Sequence, residues 1–201
     1  MISKLSKRIA QYLADKNKID GDEIDLYHYG LFVMISEFFL MFCSLVIGII
    51  FKIPLQGVIF YLVFFITHRY AGGFHAKTEF HCQAVTLSSF FIGIACIKLA
   101  ENASFALLVA IPICCLAIMA ILCPADTPQK ELTRGEKLRF KKITAVLISA
   151  IILLVVLLFK LGVSSSYIGA IVFAVLLETI SVVFGRAFNL SLIHISEPTR
   201  P

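Results

Sequence analysis

The sequence predicts an all-α, polytopic membrane protein, and three observations carry that prediction. Hydrophobic residues fill 59% of the 201 positions and charged residues only 15%. Mean hydropathy is +0.93. The apolar residues gather into about six long runs, where a soluble domain of this length carries more charge and far fewer such runs. A secretory signal peptide is not expected, because the first thirty residues are largely polar and charged and hold no apolar h-region. The chain would then be inserted by its own spanning segments.

The N-terminal segment, residues 1–28, opens with Ile2, Leu5, Ile9, Tyr12 and Leu13 at helical spacing. Lys4, Lys7 and Arg8 lie largely off that stripe. Two readings fit equally: a helix lying on an anionic leaflet, or an ordinary helix packed on the membrane domain. Lys16 to Asp25 is a charged, turn-like linker with Gly21 at its centre.

The membrane domain, residues 29–188, holds the runs Leu31–Phe51, Ile53–Thr67, Ala84–Ala100, Phe105–Cys123, Ile143–Phe159 and Tyr167–Phe184. A spanning helix needs about 20 apolar residues. The second run is short and the third borderline, so a re-entrant hairpin is the alternative for that pair. Irregular backbone is tolerated at such depth only where protein or water surrounds it. Glu37 and Glu178 fall inside the first and sixth runs. Each reads first as a neutral or cavity-facing structural carboxyl, and second as a functional group.

Basic residues alternate between connections. Lys4, Lys7, Arg8, Lys16 and Lys18 precede the first run, Arg69 and Lys77 separate the second from the third, and Lys130, Arg134, Lys137, Arg139, Lys141 and Lys142 separate the fourth from the fifth. The other connections carry only Lys52, Lys98 and Lys160. The positive-inside rule therefore predicts a multi-pass protein of the cell membrane with a cytoplasmic N-terminus. The formal charge of +5 is a topology signal, and no nucleic-acid partner is expected.

Pro124 ends the fourth run, and Thr127 with Pro128 reads as a helix start. Thr133 to Glu136 matches a capping box, which predicts a second short helix feeding the fifth run. Residues 189–201 continue no pattern and resemble translated adaptor read-through, so this tail, including His194, is read as non-native.

Chemistry concentrates in His68-Arg69-Tyr70-Ala71-Gly72-Gly73-Phe74-His75-Ala76-Lys77-Thr78-Glu79-Phe80-His81-Cys82. Polar side chains near a bilayer cost free energy, so such a cluster between apolar runs points to a site. A histidine beside a cysteine can take the thiol proton and hold sulfur as the nucleophilic thiolate. Arg69 or Lys77 would favour that anion. Gly72 and Gly73 read first as a turn and second as an oxyanion site built from backbone N–H groups. On one ideal helix His75 and Cys82 would stand about 10.5 Å apart along the axis, too far to bond. A break between them is therefore predicted, with Cys82 at the start of the third run. His68, a possible supporting partner of this pair, and His75, His81 and Cys82 are also all acceptable zinc ligands, but their spacing matches no zinc motif. No metal and no cofactor is expected. The remaining cysteines, Cys43, Cys96, Cys114, Cys115 and Cys123, read as small hydrophobes. A transporter or a non-catalytic scaffold is the competing class, although no internal repeat of the transporter kind is visible.

Arg69-Tyr70-x-Gly72-Gly73-x-His75-Ala76 followed by Cys82 resembles the signature of the accessory gene regulator B (AgrB) family. Pro124-Ala125-Asp126-Thr127 followed by basic residues resembles that family's second landmark. The resemblance covers roughly residues 1–188. It implies a membrane cysteine endopeptidase that cuts the C-terminal tail from a small quorum-sensing propeptide. Cys82 would hold the peptide as a thioester, and His75 would serve as base and then acid. An internal cysteine or serine of the propeptide would then close a thiolactone or lactone ring. The resemblance also implies a homodimer. Asp126 is a speculative third member of the site. The basic stretch 134–142 is sufficiently explained by topology, with docking of an acidic propeptide tail as an addition.

Overall fold

A computed structural model describes residues 2–16, 18, 20–74, 78–125 and 132–196. Seven α-helices make up the described chain: α1 (Ile2–Asp15), α2 (Ile24–Ile50), α3 (Pro54–Ala71), α4 (Glu79–Leu99), α5 (Phe105–Leu122), α6 (Arg134–Lys160) and α7 (Ser165–Ser196). No strand occurs among the described residues. The all-α membrane class predicted from composition is thus the observed one. The helices α2, α4, α5, α6 and α7 are each long and apolar enough to cross a bilayer. The third run therefore has spanning length, which removes the reason for reading it as re-entrant. Helix α3 has 18 residues, about 27 Å of rise, the same length as α5.

Two compact units divide the chain at residues 43 and 44, inside α2. In the first unit, the Ser6 hydroxyl and the His28 ring Nδ1 sit 2.9 Å apart and tie α1 to the start of α2. The predicted stripe of α1 is only partly the buried face. Ser6 and Ala10 are buried, whereas Leu5 and Tyr12 are exposed. Helix α2 begins seven residues before the apolar run, after a single 3-10 turn over Gly21–Glu23.

The second unit is organised around α7. Its membrane stretch is largely buried, while the other candidate spans turn most of their residues outward. Ile168, Val172, Val175 and Val182 of α7 join Leu108, Cys115 and Met119 of α5 and Ile148 and Val155 of α6 in one core. Helix α3 runs parallel to α7. Gln56 Nε2 donates to the Ser166 hydroxyl at 3.3 Å near one end, and His68 meets Glu178 near the other. The separation in sequence is 110 residues in both pairs, so the two helices keep step over about 18 Å. Helix α3 thus shares the depth traversed by α7.

Tight glycine contacts close the α2–α3 turn. A Cβ on Gly57 would lie 2.7 Å from the Ser44 carbonyl, and the Ser44 hydroxyl donates to the Gly57 carbonyl at 2.7 Å. Phe105 stacks on Phe159 at 4.2 Å, bringing the start of α5 to the end of α6. A Cβ on Gly169 would meet Ala100 at 2.5 Å, so the start of α7 joins the same end. The connections after α2, α4 and α6 therefore share one end of this unit. Those after α3 and α5 share the other.

Thr133 and Glu136 do form the capping box, with the Thr133 N–H donating to Glu136 Oε2 at 2.9 Å. The helix they start is not a separate short one. It runs unbroken for 27 residues as α6, because nothing between Arg134 and Ile143 interrupts helical geometry. The predicted start at Thr127 and Pro128 lies outside the described residues.

Candidate functional site

Helix α3 stops at Ala71 because Gly72 takes φ +70°, a conformation that side chains resist. The Gly72 N–H donates back to the His68 carbonyl at 3.1 Å. That bond closes the helix, so this N–H is already used and the turn reading of Gly72 has direct support. The Ala71 carbonyl, which helix termination would leave unpaired, accepts from the Ala125 N–H at 2.9 Å. A Cβ on Gly72 would lie 2.5 Å from the Ala125 oxygen. The two polar segments that stand out in the sequence are thus in backbone contact.

Helix α7 supplies the other wall. Glu178 is fully buried, and its Oε2 lies 2.9 Å from His68 Nδ1. Its second oxygen, Oε1, is buried without a hydrogen-bond partner among the described residues. The His68 ring is about a quarter exposed and stacks on Phe64 with centroids 5.1 Å apart. One turn along α7, the Ser181 hydroxyl accepts the Phe74 N–H at 3.1 Å. One further turn along, a Cβ on Gly185 would lie 2.7 Å from the carbonyl carbon and oxygen of Gly73. Gly73 is itself pinned, since its own Cβ would meet Ser181 Oγ at 2.5 Å and His68 Cε1 at 2.7 Å. Both glycines are required by close approach.

Beyond Phe74, His75, Ala76 and Lys77 lie outside the described residues, and so does Asp126. The chain resumes at Thr78, whose extended backbone (φ −124°, ψ 146°) caps α4. Its hydroxyl accepts the His81 N–H at 3.3 Å and lies 2.5 Å from His81 Nδ1. No single helix runs from residue 75 through Cys82. Cys82 sits in the first turn of α4, half-buried, with its N–H bonded to the Thr78 carbonyl at 3.0 Å and its carbonyl accepting from Thr86 at 2.9 Å.

The register between α3 and α4 sets the height of Cys82. Phe90 of α4 packs edge-on against Phe60, Tyr61 and Phe64 of α3 at 5.6, 6.1 and 5.0 Å. The two helices run in opposite directions, so eight residues back from Phe90, about 12 Å, reaches the level of the last turn of α3. Cys82 is therefore level with Tyr70, Ala71 and the paired glycines. Arg69 is exposed at the end of α3, and Tyr70 packs near Phe140 of α6 at 6.3 Å.

Of the zinc candidates, His68 is taken up by Glu178 and His81 by Thr78. No three metal-ligating side chains cluster among the described residues. Cys115 and Cys123 are buried, Cys43 and Cys96 are partly buried, and all six cysteines are free thiols. Ser181 and Gly185 carry no signal of their own in the sequence. Glu178 had one, as a carboxyl inside an apolar run, but its partner could not be read from spacing.

The sequence model of accessory gene regulator B matches residues 6–182. The accessory gene regulator protein B of Staphylococcus lugdunensis is 27% identical over 181 residues, covering 90% of this chain and 93% of that protein. An AgrB-like protein of Clostridium perfringens strain SM101 is 28% identical, covering 81% of each chain. Another, from C. perfringens strain 13, is 29% identical and covers 71% of this chain and 70% of its own. No solved structure matches.

Proposed function

Because this chain belongs to the accessory gene regulator B family, and with it to accessory gene regulator quorum sensing, we propose that it is the membrane cysteine endopeptidase that processes the system's small propeptide. Cys82 is the nucleophile and His75 the base. Cys82 attacks the scissile carbonyl while His75 takes its proton. The tetrahedral intermediate collapses, and the departing C-terminal tail receives that proton on its amine. The remaining peptide is left as a thioester on Cys82. A thiol or hydroxyl within the peptide then displaces Cys82 to form the ring, and the thiolate recovers its proton. Exchange between thioesters needs little driving force, so a site closed to water would favour ring closure over hydrolysis.

The observation that carries this reading is the placement of Cys82. It occupies the N-terminal turn of α4, level with the end of α3, where the chain leaves helical geometry and the two polar segments touch. A helix N-terminus is a favourable place for an anion. A cysteine packed only as a small hydrophobe has no need of such a position.

The orientation follows from charge. The end bearing the site collects Arg69, Lys77, Lys130, Arg134, Lys137, Arg139, Lys141 and Lys142, against Lys52, Lys98 and Lys160 for the other connections. We place the site and the N-terminus on the cytoplasmic side of the cell membrane. Arg69 and Lys77 would favour the thiolate, and Asp126 is the candidate third member. The protein works as a homodimer in lipid, with the propeptide as its substrate.

The test is co-expression of the wild type, Cys82→Ala and His75→Ala with the small open reading frame beside this gene, followed by propeptide length by mass spectrometry. Loss of the shortened product in both variants is expected. Cleavage by Cys82→Ala would reject the mechanism.

A further inference from the structure

We propose that one face of α7, carrying Glu178, Ser181 and Gly185, is the positioning track for the glycine turn 72–74 that leads into the site. The inference rests on the peptidase reading and adds three positioning residues to it, none of which touches the scissile bond.

The three residues lie at i, i+3 and i+7, so they line one side of α7 over about two turns. Each engages the segment 72–74 or its support differently. Glu178 holds His68 by a buried bond, and the His68 ring lies under Gly73. Ser181 accepts the Phe74 N–H, fixing the last described peptide before His75. Gly185 lacks a side chain where the Gly73 carbonyl rests, and any Cβ there would force the loop away.

This arrangement has little purpose as mere closure. A turn between α3 and α4 needs no bonds to α7, and the α2–α3 turn of the same molecule closes in three residues. Catalytic geometry does need such restraint. A reacting group displaced by about 1 Å loses on the order of 100-fold in rate. Glu178 Oε1 has no hydrogen-bond partner among the described residues, so the track carries a buried polar atom at a cost in free energy.

The experiment measures alkylation of Cys82 by iodoacetamide in the purified full-length protein, read by peptide mass spectrometry. The other five cysteines serve as internal references. His75→Ala should slow Cys82 alkylation roughly tenfold, because the thiolate loses its counter-ion. Gly185→Ala should slow it to the same level, and Ser181→Ala by roughly threefold. Ser181→Thr keeps the acceptor oxygen and should restore the rate to within about twofold of wild type. The reference cysteines should keep their rates in every variant.

If Gly185→Ala does not purify as a single species, the Ser181→Ala and Ser181→Thr pair decides the question. Slow alkylation after His75→Ala, with wild-type rates in the α7 variants, would overturn the track and leave the dyad standing. Unchanged alkylation after His75→Ala would reject the dyad and the track together. Slowing of all six cysteines alike would mark a structural role and also overturn the proposal.

Discussion

The two ends of the α3–α7 unit are built on different principles. At one end the turns are local: Lys52 at φ 61° and Gly162 at φ +73° reverse direction, and no atom outside the immediate turn lies within 4 Å of a Cβ on Gly162. At the other end the described turn residues are laid against other elements. Gly72 abuts Ala125, Gly73 abuts Ser181 and His68, and Phe74 bonds to α7. The first end is tied through side chains, Gln56 to Ser166, Phe105 to Phe159 and Ala100 against Gly169, while its turns close within themselves. The second has its backbone placed by contacts over 50 residues or more in sequence, the investment expected where atoms must meet in a set geometry.

Paired substitutions at the two ends test that contrast. The largest difference concerns chemistry on a single helix. Cys82→Ala should lower propeptide cleavage on the order of 10⁴-fold or more. Cys96→Ala, on the same helix away from the site, should leave cleavage unchanged when both are measured by product mass. Next comes backbone geometry. Gly72→Ala meets both a disfavoured φ and the Ala125 carbonyl at 2.5 Å, so it should destabilise by about 2–5 kcal/mol. Gly162→Ala meets the φ penalty alone, about 1–2 kcal/mol. Unfolding in mixed micelles with increasing dodecyl sulfate would measure both, and equal losses would deny that the two ends differ.

A smaller gap is expected for paired polar side chains. Glu178→Leu leaves His68 Nδ1 without that buried partner and should cost about 1–3 kcal/mol in the same assay. Glu101→Ala removes a solvent-exposed 3.6 Å pair with Lys98 and should cost no more than about 0.5 kcal/mol. The smallest gap is between helix caps. Thr133→Ala removes a reciprocal capping box from α6 and should cost about 1 kcal/mol. Ser104→Ala removes a single 3.4 Å acceptor from α5 and should cost about half as much.

Much of this fold was legible before any coordinates. The six apolar runs are six of the seven helices, and the capping box at Thr133 begins a helix where the motif places it. The departures are local. The predicted short helix before the fifth run merged into α6, because no proline lies between Arg134 and Ile143 to break it. Of the α1 stripe, Leu5 and Tyr12 are exposed, because periodicity finds an apolar face without saying what covers it. For the candidate site, the sequence marked Gly72, Gly73 and Cys82 by type and spacing. Nothing in spacing could reveal that Ser181 and Gly185 meet the glycine loop.

Composition alone decided that this chain belongs in a bilayer, because the cost of exposing long apolar runs to water adds up residue by residue, whatever the fold. The order of residues likewise decided where helices begin and end and which segment holds nucleophilic and basic groups. Tertiary structure alone decided that His68 would find Glu178 across 110 residues, that Ala125 would complete the end of α3, and that α7 would carry the glycine loop. Those contacts depend on which helix faces which and at what height. That choice emerges only when all the helices compete for the same buried space.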